Sequence, residues 1–303
     1  MKILIPVDGS SFSDAALAFV AARPFREDSP PHIDVLNVQL PVPPRAGRAV
    51  GAEIVRSWHE AESTKILKPA VAALRQAHLD PAWYRVVGNP GVEIAEWAER
   101  HAVDLIVMGS HGRTALRGLV FGSVTQTVLA CTAVPVLALR TPQAPKRASL
   151  RVGIALDGSA YSDAAVRYVL RHRSLFGPRA TVALIHVHTH SLLAASLPLG
   201  APPTASELAR AEEEAFEQVL APSRALCARE GVDATEHRIV GHPGEEIANF
   251  ARTARLHLLV MGSHGRGALM AALLGSVASR VAATCSTPLL LIRPGRPEQT
   301  ASR

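Results

Sequence analysis

A repeated glycine-containing segment constrains the fold of this chain more than any other feature. The sequence Gly-Ser-His-Gly-Arg begins at Gly109 and occurs again at Gly262, 153 positions later. In both copies nine residues separate the second glycine from a Gly-Ser pair, and ten of the sixteen positions in 109–124 and 262–277 are identical. Two such matches in register exceed what chance would give, so the sequence predicts one structural unit built twice.

The length and composition agree with two copies. A chain of 303 residues is about twice the usual length of one domain, and we expect the domains to span residues 1–140 and 150–293. Residues 141–149 are then a polar linker. Hydrophobic residues make up 48% of the chain but aromatic residues only 4%, so the cores must consist mainly of Ala, Val, Leu and Ile side chains.

Charge and cysteine content narrow the classes of function. The formal charge of +6 and the pI near 9.7 favour anionic partners such as nucleotides. The sequence has no run of five Lys or Arg residues, so we expect no specific nucleic-acid partner. Three cysteines without zinc or redox spacing are interpreted as small buried residues of a reducing, cytoplasmic protein. Asp8 argues against a signal peptide, and no apolar run is long enough to cross a bilayer, so we expect no membrane partner.

Strand and helix patterns alternate in the same order in both copies. Amphipathic patterns predict long helices at 52–78 and 204–230, and Pro- and Gly-rich segments predict mobile loops at 40–51 and 191–205. Short apolar runs predict strands at 3–7, 33–38, 83–87, 105–108 and 135–139, and at 152–156, 181–187, 237–240, 258–261 and 288–292. Each copy is therefore predicted to be an α/β domain with a doubly wound, five-stranded parallel sheet, and such Rossmann-like sheets bind ligands beyond the carboxyl ends of their strands.

The glycine segments are suited to bind a phosphate chain. Gly109 and Gly112 lack a Cβ atom, so the backbone N–H groups of the loop could approach phosphate oxygens closely. Gly122 and Ser123 lie where the next helix begins, and the N–H groups and dipole of a helix N-terminus favour an anion. The Ser123 hydroxyl adds a further donor. The equivalent residues of the second copy are Gly262, Gly265, Gly275 and Ser276.

Two further pairs of residues have both a binding and a structural interpretation. Arg113 and Arg266 follow the second glycine of each loop and either compensate phosphate charge or are exposed solubilising residues. Asp8 and Asp157 end the first strand of each copy. They either accept hydrogen bonds from a ribose or adenine or cap the following helix. The neighbouring glycine loop favours ligand contact for these aspartates.

Together these motifs resemble the universal stress protein family in its tandem two-domain form. The spacing Gly-x-x-Gly, nine residues, Gly-Ser is present in both copies and is typical of the ATP-binding branch of that family. The opening Ile-Pro-Val-Asp-Gly-Ser and the Met-Gly-Ser-His-Gly-Arg segments support the resemblance, which covers about 1–140 and 150–293. It implies a strand order of 3-2-1-4-5 in each domain. It also implies an internal pseudo-dimer, paired through the fifth strands, and leaves a further homodimer open.

The resemblance also implies roles for individual residues. Asp8 and Asp157 would contact the nucleoside, and Val38 and Val187 would contact adenine through their backbones. The phosphate contacts would come from Gly109, Gly112, Gly122, Ser123 and the N–H group of Val124, and in the second copy from Gly262, Gly265, Gly275, Ser276 and Val277. The implied cofactor is ATP, with Mg²⁺ accompanying the phosphates.

Three functions stay open at this point. The first is an ATP-binding regulator of a stress response with little or no turnover, because the motif contains no obvious general base. The second is an enzyme, either a slow ATPase or a protein that phosphorylates itself on Ser123 or Ser276. The third is a scaffold that binds protein partners or another small anionic ligand.

The histidines do not change this interpretation. His111 and His264 lie inside the glycine loops and are interpreted as loop side chains rather than general bases. The histidines at 186, 188 and 190 could ligate a metal, but the sequence contains no second cluster to complete a site, so they are interpreted as strand-end residues. We therefore predict no catalytic residue and no metal ligand.

Overall fold

The chain divides into two compact units in a computed structural model that describes residues 1–26, 28–112, 120–189, 204–265 and 274–293. The first unit comprises Met1–Ala148, and the second begins at Ser149. Within the described residues, no helix is both long and apolar enough to cross a membrane.

The first unit alternates strands with helices. Its strands are β1 (Lys2–Pro6), β2 (His32–Gln39), β3 (Pro81–Val87), β4 (Leu105–Gly109) and β5 (Val136–Leu139). Its helices are α1 (Ser11–Ala21), α2 (Pro44–Val50), α3 (Ala52–Gln76), α4 (Pro90–Arg100) and α5 (Ser123–Cys131). The strands pair in parallel in the order β3-β2-β1-β4-β5, which places β1 between β2 and β4.

The second unit repeats this order. Its strands are β6 (Arg151–Leu156), β7 (Thr181–His188), β8 (Ala234–Val240), β9 (Leu258–Gly262) and β10 (Leu289–Ile292). Its described helices are α6 (Ala160–Arg171), α7 (Ala205–Arg229), α8 (Pro243–Thr253) and α9 (Ser276–Thr284). The strands pair in parallel in the order β8-β7-β6-β9-β10. The predicted fold class, two doubly wound five-stranded parallel sheets with strand order 3-2-1-4-5, is confirmed.

The residues that follow the first strand of each unit set the geometry of the sheet edge. Ser10 caps α1, where its hydroxyl accepts a hydrogen bond from the Ser13 N–H group at 3.3 Å. Ser159 caps α6 in the same way through Ser162, also at 3.3 Å. Because each cap fixes where the helix begins, the preceding Asp-Gly turn is held at the carboxyl end of the central strand.

Two local predictions are wrong. The loop predicted at 40–51 contains the helix α2, because Pro44 has the backbone angle that a first helical turn needs. Its predicted counterpart at 191–205 lies almost entirely outside the described residues. Cys131 is exposed rather than buried, because it is the last residue of α5 and faces solvent, whereas Cys227 and Cys285 are buried as expected.

Candidate functional site

A cavity of about 640 Å³ opens at the carboxyl ends of β2, β1 and β4 in the first unit. The order of these strands places the end of β1 between the other two, so residues from all three converge there. Every described residue of the first predicted set lines this cavity: Asp8, Val38, Gly109, Gly112, Gly122, Ser123 and Val124. Arg113 lies outside the described residues.

The second unit has a smaller cavity in the equivalent place. Its volume is about 350 Å³. Every described residue of the second predicted set lines it: Asp157, Val187, Gly262, Gly265, Gly275, Ser276 and Val277. Arg266 lies outside the described residues, so the structure does not place either loop arginine.

One hydrogen bond closes each glycine loop on itself. The Gly122 N–H group donates to the Ser110 carbonyl oxygen at 2.8 Å, and Gly275 donates to Ser263 at the same distance. The Gly122 amide is therefore engaged within the loop. The prediction of free N–H groups at Gly122 and Ser123 is therefore wrong for Gly122, and the donors left in the first helical turn are those of Ser123, Val124 and Thr125.

The start of α5 is left without a side-chain cap. Its N-cap residue Gly122 is extended, with φ −66° and ψ 158°, and has no side chain to bond the first-turn N–H groups. Gly275 gives α9 the same uncapped start, with φ −60° and ψ 157°. An uncapped helix N-terminus at the wall of a cavity is an arrangement that favours an anion.

The first loop glycine is needed for close packing between the loop and a helix. A Cβ atom on Gly109 would lie 2.5 Å from the Cβ atom and 2.9 Å from the backbone carbon of Phe12, at the start of α1. On Gly262 it would lie 2.5 Å from the Cβ atom of Tyr161 in α6. Contact with backbone atoms cannot be relieved by a side-chain rotation, so these glycines allow the helix to pack against the loop.

The second loop glycine allows a carboxylate to approach. A Cβ atom on Gly112 would lie 2.8 Å from Asp8 Oδ2, and one on Gly265 would lie 2.6 Å from Asp157 Oδ2. The other oxygen, Asp8 Oδ1, accepts hydrogen bonds from the Ser10 N–H group at 3.0 Å and the Ser10 hydroxyl at 2.6 Å. The geometry of Asp8 is therefore consistent with both interpretations, helix capping and ligand contact. One carboxylate oxygen orders the turn before α1, and the other points toward the glycine loop.

The third loop glycine leaves a backbone amide uncovered. A Cβ atom on Gly122 would meet only ordinary contacts, 3.4 Å from His111 Cα and 3.8 Å from the Gly112 nitrogen. The Gly112 N–H group makes no backbone hydrogen bond within the described part of the chain. A Cβ atom at position 122 would thus be tolerated by the fold and would lie in van der Waals contact with the Gly112 nitrogen.

In each unit, a polar side chain of the second strand forms a hydrogen bond with a carbonyl group after the first strand or at its end. Asn37 donates from Nδ2 to the Val7 carbonyl oxygen at 2.7 Å. In the second unit, His186 Nδ1 is bonded to the Leu156 carbonyl at 2.8 Å. The two different side chains therefore hold equivalent carbonyl groups, one residue before Asp8 and Asp157.

The loop histidines are held by their neighbours. His264 is 8% exposed, its Nδ1 atom is 3.0 Å from the Ser263 hydroxyl, and its ring packs against Tyr161. Burial and, secondarily, the positive charge of Arg293 lower the pKa of His264. The ring is therefore neutral at neutral pH, so it does not supply a positive charge to this cavity. His111 has the same bond to Ser110, at 3.0 Å.

The model of the universal stress protein family matches residues 1–140 and 149–293. The chain belongs to the universal stress protein family.

Relatives from this family match the chain over nearly its whole length. A universal stress protein of Mycolicibacterium smegmatis is 29% identical over 301 residues, covering 96% of this chain and 97% of the relative. One of Mycobacterium tuberculosis is 29% identical over 305 residues and covers 96% of each chain. The crystal structure of a universal stress protein from Archaeoglobus fulgidus is 21% identical, covers 97% of this chain and 98% of that one, and has a TM-score of 0.72, which supports the fold. The predicted resemblance to a tandem universal stress protein is confirmed.

Some residues around the sites of this universal stress protein were not predicted. Thr125 is buried, and its hydroxyl donates to the carbonyl oxygens of Gly109 at 3.0 Å and Ser110 at 3.3 Å. The equivalent residue in the second unit is Ala278, so this tie exists in one copy only. Leu40 and Trp58 also line the first cavity. The repeat hides such residues, because they differ between the copies.

Among the described residues, no group of three His, Cys, Asp or Glu side chains could hold a metal ion.

Proposed function

We propose that this universal stress protein binds ATP in both domains and acts as a nucleotide-dependent regulator of a stress response, with little or no turnover. The observation that carries the proposal is the pair of glycine loops. In each, a missing side chain leaves a backbone amide uncovered beside an uncapped helix N-terminus. Such a concave set of N–H donors suits a polyanion.

The nucleoside would lie at the other end of each cavity. The phosphate-binding loop follows β4, Val38 is the penultimate residue of β2 and Asp8 follows β1 between them. A ligand that reached from the loop to Val38 would pass Asp8, whose carboxylate could accept hydrogen bonds from a ribose. ATP has both groups in that order. Mg²⁺ would accompany it on phosphate oxygens, as this ion usually does.

The candidate general bases that line the two cavities are bonded to neighbouring residues, which supports a binding function. The Nδ1 atoms of His111 and His264 are each 3.0 Å from the hydroxyl of the preceding serine. Among the described residues that line the first cavity, the only carboxylate is Asp8, and one of its oxygens already accepts two hydrogen bonds from Ser10. The described lining of the second cavity likewise contains Asp157 as its only carboxylate. A hydrolytic enzyme would need a group to orient an attacking water.

Slow phosphoryl transfer is the second candidate, because Ser123 and Ser276 are exposed at the helix starts and line the cavities. The third candidate, a scaffold for another anionic ligand, uses the same donors. Pairing of the two domains through their fifth strands remains a prediction of the family resemblance.

Calorimetric titration of the full chain with ATP, ADP, AMP and tripolyphosphate tests the proposal. We expect two ATP molecules per chain and weaker binding of AMP and tripolyphosphate, because each lacks one half of the ligand. Absence of adenine nucleotide binding at saturating ATP would favour the scaffold. Phosphate release or labelling from γ-labelled ATP, above that of a Gly122→Val, Gly275→Val double variant, would favour the enzyme.

A further inference from the structure

The first cavity has an apolar wall at one end. Trp58 lies near the start of α3 and lines the cavity together with Val38 and Leu40. The Trp58 side chain is 48% exposed and Leu40 is 65% exposed. Large apolar surfaces usually become buried where a protein can bury them, and here they border the end of the cavity that holds Val38.

The indole ring is held in place on one side. Trp58 meets the ring of His59 edge to face, with 4.9 Å between the ring centroids. His59 is buried and belongs to the face of α3 that packs into the core. Trp58 therefore lies at the border of that face, with one side against a fixed neighbour and much of its surface free.

The repeat shows that the two copies differ at the positions of Trp58 and Leu40. Both long helices contain a proline, Pro69 in α3 and Pro222 in α7, and these are 153 positions apart like the glycine loops. In this register Trp58 corresponds to Ala211. Val38 and Val187 are the penultimate residues of equivalent strands, so Leu40 corresponds to Thr189. At these two positions of the second copy, alanine and threonine thus stand in place of the large apolar residues.

We propose that Trp58 is a base-stacking residue of the first site and makes that site more selective for purine nucleotides than the second site. This inference rests on the proposed function, because it requires a nucleotide whose phosphates bind the glycine loop. A base near the Val38 backbone would be within the part of the cavity that Trp58 borders. An indole stacks more strongly on a larger aromatic base, so adenine would gain more than a pyrimidine.

The test compares Trp58→Ala and Trp58→Phe in a chain whose second site is blocked by Gly275→Val. Calorimetry with ATP, UTP and tripolyphosphate measures the first site alone. We expect Trp58→Ala to weaken ATP binding about tenfold and Trp58→Phe to weaken it less, because an aromatic ring is kept. Tripolyphosphate affinity should not change, and the preference for ATP over UTP should fall in the alanine variant.

Trp83→Ala is the matched control, because Trp83 is 56% exposed on β3 and does not line the cavity. It should bind ATP as the unaltered chain does. Unchanged ATP affinity in Trp58→Ala would overturn the inference and leave the proposed function intact. Equal losses for ATP and tripolyphosphate would also overturn it, since stacking cannot act on a ligand without a base. If the unaltered chain binds neither ligand, the proposed function itself fails.

Discussion

The Oδ2 atom of Asp8 lies 2.8 Å from the position that a Cβ atom would take on Gly112. The same relationship, at 2.6 Å, joins Asp157 and Gly265. A glycine of the phosphate-binding motif and the acidic residue at the end of the first strand are therefore one packing unit, although about a hundred residues separate them in the sequence.

This contact predicts a non-additive pair of substitutions. Gly112→Ala should destabilise the first unit by about 1 kcal/mol, because the added methyl group displaces the Asp8 carboxylate. In an Asp8→Ala background the same change should cost much less, since the atoms of the described residues that lie within 4 Å of the new Cβ atom belong to Asp8. Urea denaturation measures this in the first unit alone by fluorescence, because all three tryptophans of the chain, Trp58, Trp83 and Trp97, lie there. Equal costs in both backgrounds would contradict the contact.

The other two glycines of the loop should respond in opposite ways. Gly109→Ala should destabilise the first unit by more than about 2 kcal/mol, because its Cβ atom would overlap Phe12. Gly122→Ala should leave the stability nearly unchanged but weaken ATP binding to the first site about tenfold, because it covers the Gly112 amide. Urea denaturation and calorimetry on both variants make the comparison. A Gly122→Ala protein that binds ATP normally would show that this amide does not hold the phosphates.

Substitution of Asp8 should change ligand preference more than phosphate affinity. Asp8→Ala should weaken ATP and AMP binding to the first site about tenfold, because a hydrogen bond to the ribose would be lost. Binding of tripolyphosphate should be unchanged or slightly stronger, since a negative charge is removed. Asp14→Ala removes the same charge from the exposed first turn of α1 and is the control. If all three ligands lose affinity equally, the proposed role of Asp8 is wrong.

Two histidines should make the second unit less stable in mild acid. Burial lowers the pKa of His237, and burial together with Arg293 lowers the pKa of His264. The unfolded chain therefore binds more protons between the unperturbed value of 6.5 and the lowered values, so this stability is complete above pH 6.5 and is lost as the pH falls below it. The loss should be below about 1 kcal/mol. Hydrogen exchange of β9 measures it, and a His237→Gln, His264→Gln protein should show a flatter pH dependence.

The three thiols should differ in reactivity. Cys131 is exposed, whereas Cys227 and Cys285 are buried and burial raises the pKa of the Cys227 thiol. We expect one fast reaction per native chain with a thiol reagent, and two more only on unfolding. Cys131→Ser should abolish the fast phase. Its persistence in that variant would mean that one of the buried thiols is accessible in solution.

The repeat made much of the fold and the outline of the site predictable. Because two equivalent glycine loops follow equivalent strands, the repeat and the family resemblance together predicted a set of residues, from Asp8 to Val277, whose described members line the two cavities. The closing bond from Gly122 to Ser110 was not predictable, since it depends on backbone geometry that no side-chain pattern encodes.

Site residues that differ between the two copies could not be predicted from the repeat. Thr125 and Trp58 have no counterpart of the same type in the second unit, so a search for repetition passes over them. The sequence pattern does not predict the short helix α2, because proline and glycine usually indicate a loop, although proline is compatible with a first helical turn.

The closed loops are built from the same backbone bond at the same length, 2.8 Å in each unit, whereas the walls around them are made of different side chains. In a chain of this kind, both domains can make the same backbone contacts to a phosphate group while their affinities for the whole ligand differ. Its saturation curve would then extend over a wider range of ligand concentration than that of a single class of site. One polypeptide would therefore change its occupancy at both low and high ligand concentration.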